Sequence, residues 1–376
     1  MTVNQKWEEP LDKTKPFDIS KHIVWEAYLR VKANKGAAGI DEQSIADFER
    51  ELKNNLYKIW NRMSSGSYFP PPVRTVSIPK SGGGLRKLGI PTVGDRIAQM
   101  VVKLYLEPEV EGHFHPDSYG YRPGKSALDA VGRARERCWK YDYVIDLDIK
   151  GFFDNLEHSL IMRTVKKHTD SEWILLYLER RLKASIQLED GTLVERDRGT
   201  PQGSVISPVL MNMTLDGLES LLKTNFPRWG GKMVNLTCFA DDFIITGKSK
   251  EILENEVKPL VTEFLKQQGL QLSESKTRIT HIDDGFDFLA SNIRKYGGKL
   301  LIKPSRQNVQ AFLAEIKTTV RENLHIPVEK LLLLLNPKIR GWALFHRATV
   351  SKEIFSYVDY RIFCELKYWM RRRHPG

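Results

Sequence analysis

The spacing of apolar and polar positions divides this chain into a mixed α/β stretch followed by a helical one. Val24, Ala27, Tyr28 and Val31 recur at helical spacing and predict an early helix behind a polar arm over residues 1–20. After Pro70, Pro71 and Pro72, the run Val73–Ile78 reads as a strand. Ser81-Gly82-Gly83-Gly84 then reads as the tip of a hairpin between basic strands. Ile97, Met100, Val101 and Leu104 place an amphipathic helix over Asp95–Val110. Ser126 and Asp129 have capping-box spacing and start a helix that runs to about Lys140. Tyr141–Ile149 reads as a strand, Val209–Leu222 as a helix, and Leu236–Thr246 as two strands around a tight turn. From Ser305 the period is helical, with Val309, Phe312, Ile316 and Val320 on one face and two more helices up to Arg373.

Composition adds size and a partner class. The 376 residues are 41% hydrophobic, enough for a sizeable core and more than one domain. Against 47 acidic residues stand 58 basic ones, a formal charge of +11. That surplus suits a polyanion, because each neutralised phosphate releases counterions, although a merely basic surface has the same composition. Cys138, Cys238 and Cys364 lie far apart with no Cys-x-x-Cys pair, which argues against a zinc ribbon or disulfide framework and fits the reduced cytoplasm. The longest apolar run, Leu331–Leu335, is far too short to span a bilayer, and the polar N-terminus has no apolar signal core, so no membrane partner is expected.

Four constellations carry chemistry. In the strand Asp142–Ile149, alternation puts Tyr143, Ile145, Leu147 and Ile149 on one face and Asp142, Val144, Asp146 and Asp148 on the other. Acids stacked on one face beside an apolar run are costly unless a cation compensates. In Cys238-Phe239-Ala240-Asp241-Asp242-Phe243-Ile244-Ile245, two acids sit between strand formers. A surface turn uses the same letters, but these flanks place the acids at the tip of a buried hairpin. Two acid-bearing strands are what a pair of hard cations requires to activate a hydroxyl and steady a leaving pyrophosphate. Gly199-Thr200-Pro201-Gln202-Gly203 makes a shaped loop whose Gln can meet a base or sugar edge without adding charge, or else an ordinary helix start. Lys80 and Arg86 flank the glycine tip and could meet a triphosphate there. Gly124-Lys125-Ser126 lacks the upstream glycine of a Walker loop, so Tyr119–Ser126 reads as a template-side contact or a solvated loop.

Together these segments resemble the reverse transcriptases encoded by bacterial group II introns, from about Val31 to the chain's end. The resemblance implies an α+β right-hand polymerase fold, fingers and palm, with an α-helical thumb. Its divisions fall at residues 1–30 for an N-terminal extension, 31–295 for fingers and palm, and 296–376 for the thumb or maturase region. Phe-Ala-Asp-Asp resembles the family's catalytic hairpin, making Asp241 and Asp242 metal-binding acids, Asp241 the primary one. Asp148 matches the first catalytic aspartate, and Ile149 offers a backbone carbonyl to a metal. Phe153 matches the aromatic gate against ribose 2′-hydroxyls, with Phe152 then pointing into the palm core. Gln202 is placed near the templating pair, Lys80 and Arg86 on the incoming triphosphate, and Lys276 as a proton donor to pyrophosphate. The implied cofactors are two Mg²⁺ ions, for which Mn²⁺ can substitute. The implied partners are an RNA template, a DNA or RNA primer, dNTPs and a structured intron RNA.

The segments Asn34–Asp41 and Pro337–Trp342 also resemble the intron-encoded branch. Phe239 replaces the commoner Tyr, Phe288-Leu289-Ala290-Ser291 replaces Phe-Leu-Gly-Phe in the primer-grip block, and no Cys- and His-rich endonuclease is expected. Asp146 is assigned a supporting role, His113 and His115 the surface, and Trp342, Phe345, Tyr357 and Trp369 the thumb core. The rival class is an RNA-binding splicing cofactor with an idle polymerase site, and within the enzyme class a retron, diversity-generating or phage-defence reverse transcriptase.

Overall fold

The early apolar stripe forms the helix Lys21–Ala33, burying Val24, Ala27, Tyr28 and Val31 as its spacing predicts. This computed structural model describes residues 15–79, 84–227 and 231–373. Eleven strands occur among the described residues. In chain order they are β1 (Val73–Pro79), β2 (Leu85–Ile90), β3 (Tyr143–Asp148), β4 (Ile186–Gln187), β5 (Leu193–Val194) and β6 (Asn235–Phe239). They continue with β7 (Asp242–Gly247), β8 (Arg278–His281), β9 (Phe286–Phe288), β10 (Ser291–Tyr296) and β11 (Lys299–Pro304).

The chain forms two compact units that interleave in sequence. The first comprises Met1–Pro123, Ile149–Leu218 and Leu260–Ser273. Here β1 and β2 pair as an antiparallel hairpin, Arg74 opposite Ile90 through Pro79 opposite Leu85, and β4 and β5 extend the sheet in the order β2-β1-β4-β5. The predicted hairpin therefore exists, although Lys80 and the glycines 82–83 of its tip lie outside the described residues. The helix Val93–Glu111 packs against Lys21–Ala33 and Leu52–Ser64, burying Ile97, Met100 and Val101. It also buries Asp95, Arg96 and Gln99, polar positions that an amphipathic reading assigns to solvent. Asp95 is held by Arg181 at 2.7 Å, an ion pair of two nearly fully buried side chains. A buried charge left alone is expensive, so each of these two requires the other.

The second unit comprises Gly124–Asp148, Glu219–Pro259 and Glu274–Gly376. Its main sheet has the order β6-β7-β3-β8, with β3 flanked by β7 and β8, both antiparallel to it. The helix Ala127–Cys138 lies beside it, opened by the predicted capping box, Ser126 and Asp129 satisfying each other's backbone N–H groups. A second sheet, β11-β10-β9, leads into three helices, Arg306–Glu322, Val328–His346 and Lys352–Arg373. Their core joins Phe312, Ile316, Val320, Leu331, Leu335, Val358, Ile362 and Trp369. Leu331 and Leu335 face inward while Leu332, Leu333 and Leu334 between them are exposed, which is what a helix does with five consecutive leucines.

Two readings change, and one turn is unusual. The helix predicted over Val209–Leu222 is two helices, Ser207–Leu215 and Leu218–Asn225, broken at Gly217, whose φ of 93° no helix accepts. Tyr357 is not core: it is 48% exposed, because its helix packs on one side only. Leu289 and Ala290 join β9 to β10 with φ of 47° and 64°, a left-handed pair built without glycine.

The core of these three helices also contains a titratable group. His346 is fully buried; its Nε2–H donates to Asn308 Oδ1 at 3.0 Å, and Trp342 Nε1 donates to the same oxygen at 2.8 Å. Its Nδ1 has no partner, so a second proton there would meet no acceptor. Burial pushes its pKa down to about 4 from 6.5. The folded state then resists a proton that the unfolded chain accepts, so stability is full above pH 6.5 and is lost as pH falls towards 4. Denaturant midpoints of the parent and of His346→Gln, taken from pH 7 to pH 4.5, should diverge by up to about 1.4 kcal/mol per pH unit, with the parent losing more.

Candidate active site

The second unit brings the acids together. The register of β3 with β7 sets Asp148 directly opposite Asp242, and Asp146 opposite Ile244. Side chains directly opposite in an antiparallel pair have Cβ atoms about 4.5–5.5 Å apart. Asp241 stands at the tip of the β6–β7 hairpin beside Ala240, whose φ of 58° makes the tight turn. The flanks are well anchored: Phe243, Ile244 and Ile245 are buried on β7, and Arg137 donates to Leu236 O and Thr237 Oγ1 on β6. Rigid strands thus hold acids in a place they would not choose.

The electrostatic cost is visible. The Asp242 carboxyl is raised to about 6, first because surrounding protein strips its water and then because Asp241 and Asp148 repel its charge, although its outer edge stays open to solvent. Asp146, half-buried, is likewise raised to about 6, by burial first and by Asp242 and Asp148 next, with Arg278 opposing. The register puts Arg278 opposite Asp146 on β8. Lys276 supplies the nearest counter-charge to Asp148, its Nζ donating to the two carboxylate oxygens at 3.1 and 3.2 Å. Asp146 is therefore part of the charge cluster and not a bystander. Among the described residues no three acids converge into a finished metal cage. The donor chemistry, hard carboxylates on adjacent rigid strands with a surplus of negative charge, fits Mg²⁺, which keeps water and substrate oxygens in its shell.

The first unit contains the loop Gly199–Gly203, with Phe153 packed against it. Gly199 has a φ of 74°, and a Cβ there would lie 2.7 Å from Phe153 O. Thr200 N–H donates to that same Phe153 O at 2.7 Å, and His158 Nε2 meets Gly199 O at 2.9 Å. Phe152 is buried and Phe153 half-buried, their rings edge-to-face at 5.7 Å, as expected for a core residue followed by a freer one. Gln202 is half-buried, yet its Oε1 is buried and takes no hydrogen bond. Arg86 is exposed on β2 opposite Ile78. Ile149 is buried and bridges to Leu272. Lys80 lies outside the described residues. His113 packs edge-to-face on His168 at 5.1 Å, and His115 Nδ1 accepts from Asp117 N, so neither is part of this site.

Comparison with known proteins identifies the family. Residues 78–293 match the family Reverse transcriptase (RNA-dependent DNA polymerase), and residues 309–376 match the family Group II intron, maturase-specific domain. The chain is 30% identical to Protein YkfC of Escherichia coli (strain K12), over 82% of this chain and 87% of that protein. It is 25% identical to Group II intron-encoded protein LtrA of Lactococcus lactis subsp. cremoris, over 94% of this chain and 73% of that protein. Among solved structures, telomerase from Candida albicans superposes with a TM-score of 0.50 and 13% identity, over 89% of this chain and 64% of that one. At that identity the likeness is one of fold, a right-hand polymerase fold in which helices and sheets mix as they do here. No helix among the described residues is long and apolar enough to cross a membrane.

The two adjacent phenylalanines should separate in stability. Phe152→Ala removes a fully packed ring and is expected to cost about 3–5 kcal/mol, whereas Phe153→Ala should cost roughly 1–2 kcal/mol. Chemical denaturation of both variants checks the contrast, and equal losses would contradict it.

Proposed function

Because this chain belongs to the group II intron family of reverse transcriptases, we propose that it extends a primer 3′-hydroxyl with dNTPs on an RNA template and binds a structured intron RNA to aid splicing and mobility. The observation that carries the reading is the cross-strand pair Asp148 and Asp242 with Asp241 at the adjoining turn. A protein that only bound RNA would gain nothing from acids crowded beside phosphates.

The residues have the following proposed roles. Asp148, Asp241 and Asp242, with the Ile149 carbonyl, would hold two Mg²⁺ ions, for which Mn²⁺ can substitute. Held there, such ions would supply positive charge against the oxygen of the attacking 3′-hydroxyl and the leaving pyrophosphate. Lys276 neutralises Asp148 in the free protein and donates a proton to the departing pyrophosphate. Arg86 and Lys80 grip the triphosphate, Gln202 meets the pair being formed, and Phe153 fills the space of a ribose 2′-hydroxyl. Residues 1–30 form an extension, 31–295 fingers and palm, and 296–376 the RNA-binding thumb. Cys138, Cys238 and Cys364 form no disulfide, which fits the reduced cytoplasm.

Primer extension on an RNA template tests the assignment. Asp241→Asn keeps shape but removes a charge, and extension should fall at least about 10³-fold while RNA affinity stays within about twofold. Extension near the parent rate would reject Asp241 as a ligand, and no extension by the parent would favour an RNA-binding cofactor with an idle site. Sugar choice gives a separate check: Phe153→Val should admit ribonucleotides with a smaller loss of deoxynucleotide use, read by single-nucleotide incorporation. Relaxed choice in Phe152→Val and not in Phe153→Val would reverse that assignment.

A further inference from the structure

The loop Gly199–Gly203 is held from three sides, and one of them belongs to the hairpin that carries Arg86. On β2, Gly89 N–H donates to Gln202 O at 2.7 Å. The approach is close enough to exclude any side chain: a Cβ on Gly89 would lie 2.7 Å from Pro201 Cβ and 3.0 Å from Val73 Cγ1. The fit is reciprocal, since a Cβ on Gly203 would lie 2.6 Å from Gly89 O. Only two residues separate Gly89 from Arg86 on one short strand, so the hairpin is tied to the loop's backbone at Gln202.

The second clamp comes from the helix Val93–Glu111. Gln99 is buried, and its Oε1 accepts from Ser204 Oγ at 2.6 Å and from Val205 N at 2.9 Å. Its Nε2 donates to Asp95 Oδ2 at 2.9 Å, fixing which end of the amide faces the loop. The Asp95 carboxylate in turn accepts from Tyr68 OH at 3.2 Å and pairs with Arg181 at 2.7 Å, while its backbone N–H donates to Thr92 Oγ1 at 3.1 Å. A chain of buried polar groups of this kind is rigid because each member loses a partner if any one moves. The third hold is Thr200 N–H on Phe153 O at 2.7 Å.

We propose that Gly89 and Gln99 are positioning residues for nucleotide selection, locking the Gln202 loop to the triphosphate hairpin on one side and to the buried Asp95–Arg181 pair on the other. This rests on the polymerase reading above, in which Gln202 meets the forming pair and Arg86 the triphosphate. That reading gives neither Gly89 nor Gln99 a contact with substrate. Their effect is on where Gln202 and its unpartnered Oε1 stand, so a shift of the loop loosens the fit of the correct nucleotide more than it slows chemistry on one already bound.

The test is single-nucleotide incorporation by the full chain on an RNA template, measuring KM for the correct dNTP, kcat, and the ratio of correct to mismatched incorporation. Gly89→Ala and Gln99→Leu should each raise KM about tenfold and lower the correct-to-mismatch ratio about tenfold, with kcat changed less than about threefold. Gly132→Ala, where a Cβ meets nothing within 4 Å, is the control and should match the parent. A merely structural role would lower the fraction of active enzyme, and hence kcat, while leaving KM and selectivity alone; that result overturns the proposal. If Gly89→Ala does not yield folded protein, Gln99→Leu and Ser204→Ala carry the same measurement, and parent values of KM and selectivity in both overturn it. Parent protein that fails to extend any primer would reject the polymerase reading itself and this inference with it.

Discussion

Everything distinctive about this chain follows from the antiparallel pairing of β3 with β7, which sets Asp148 opposite Asp242. Strand pairing is strong, non-negotiable geometry, and here it forces like charges into neighbouring positions where each disfavours the other. The fold pays that cost with burial elsewhere on the same strands, Ile145 and Leu147 on β3 and Ile244 and Ile245 on β7 being essentially inaccessible. Lys276 and Arg278 reduce the repulsion without removing it, as the raised carboxyls of Asp146 and Asp242 show. Strain that a structure retains in this way is the usual mark of a site whose missing charge arrives with its substrate.

The first unit solves a different problem, that of keeping a loop still. Gly199 and Gly203 adopt backbone conformations closed to other residues, which would leave the loop free to move if nothing held it. The holds are backbone hydrogen bonds at Thr200 and Gln202 and the Gln99 side chain at Ser204 and Val205. Using main-chain groups leaves the Gln202 side chain uncommitted, which is what a residue that reads a ligand needs.

Much of this was legible in the sequence because it is local. The stripe of Lys21–Ala33, the capping box at Ser126, the acid-bearing hairpin and the Phe152–Phe153 contrast all depend on residues a few positions apart. What the sequence hid depends on distant partners. Gln99 and Asp95 look like the wet side of an amphipathic helix until Ser204 and Arg181, far along the chain, cover them. Asp146 looks like a spare acid until the register places it beside Asp148 and Asp242 in one field. Tyr357 has the spacing of a core aromatic, and only the packing of the helix Lys352–Arg373 on one side leaves it in solvent. Gly89 carried a signal that was available, a glycine inside a strand, which commonly marks a close backbone approach.

The proposal that depends most directly on this pairing is that the acids of β3 and β7 hold divalent cations. Mn²⁺ titration followed by electron paramagnetic resonance measures this directly, since bound ions lose the sharp signal of the free aquo ion. The account predicts that the parent protein, with primer, RNA template and dNTP, sequesters Mn²⁺, and that the Asp148→Asn, Asp241→Asn double variant with the same nucleic acid sequesters clearly less. Equal sequestration by the two proteins would contradict it.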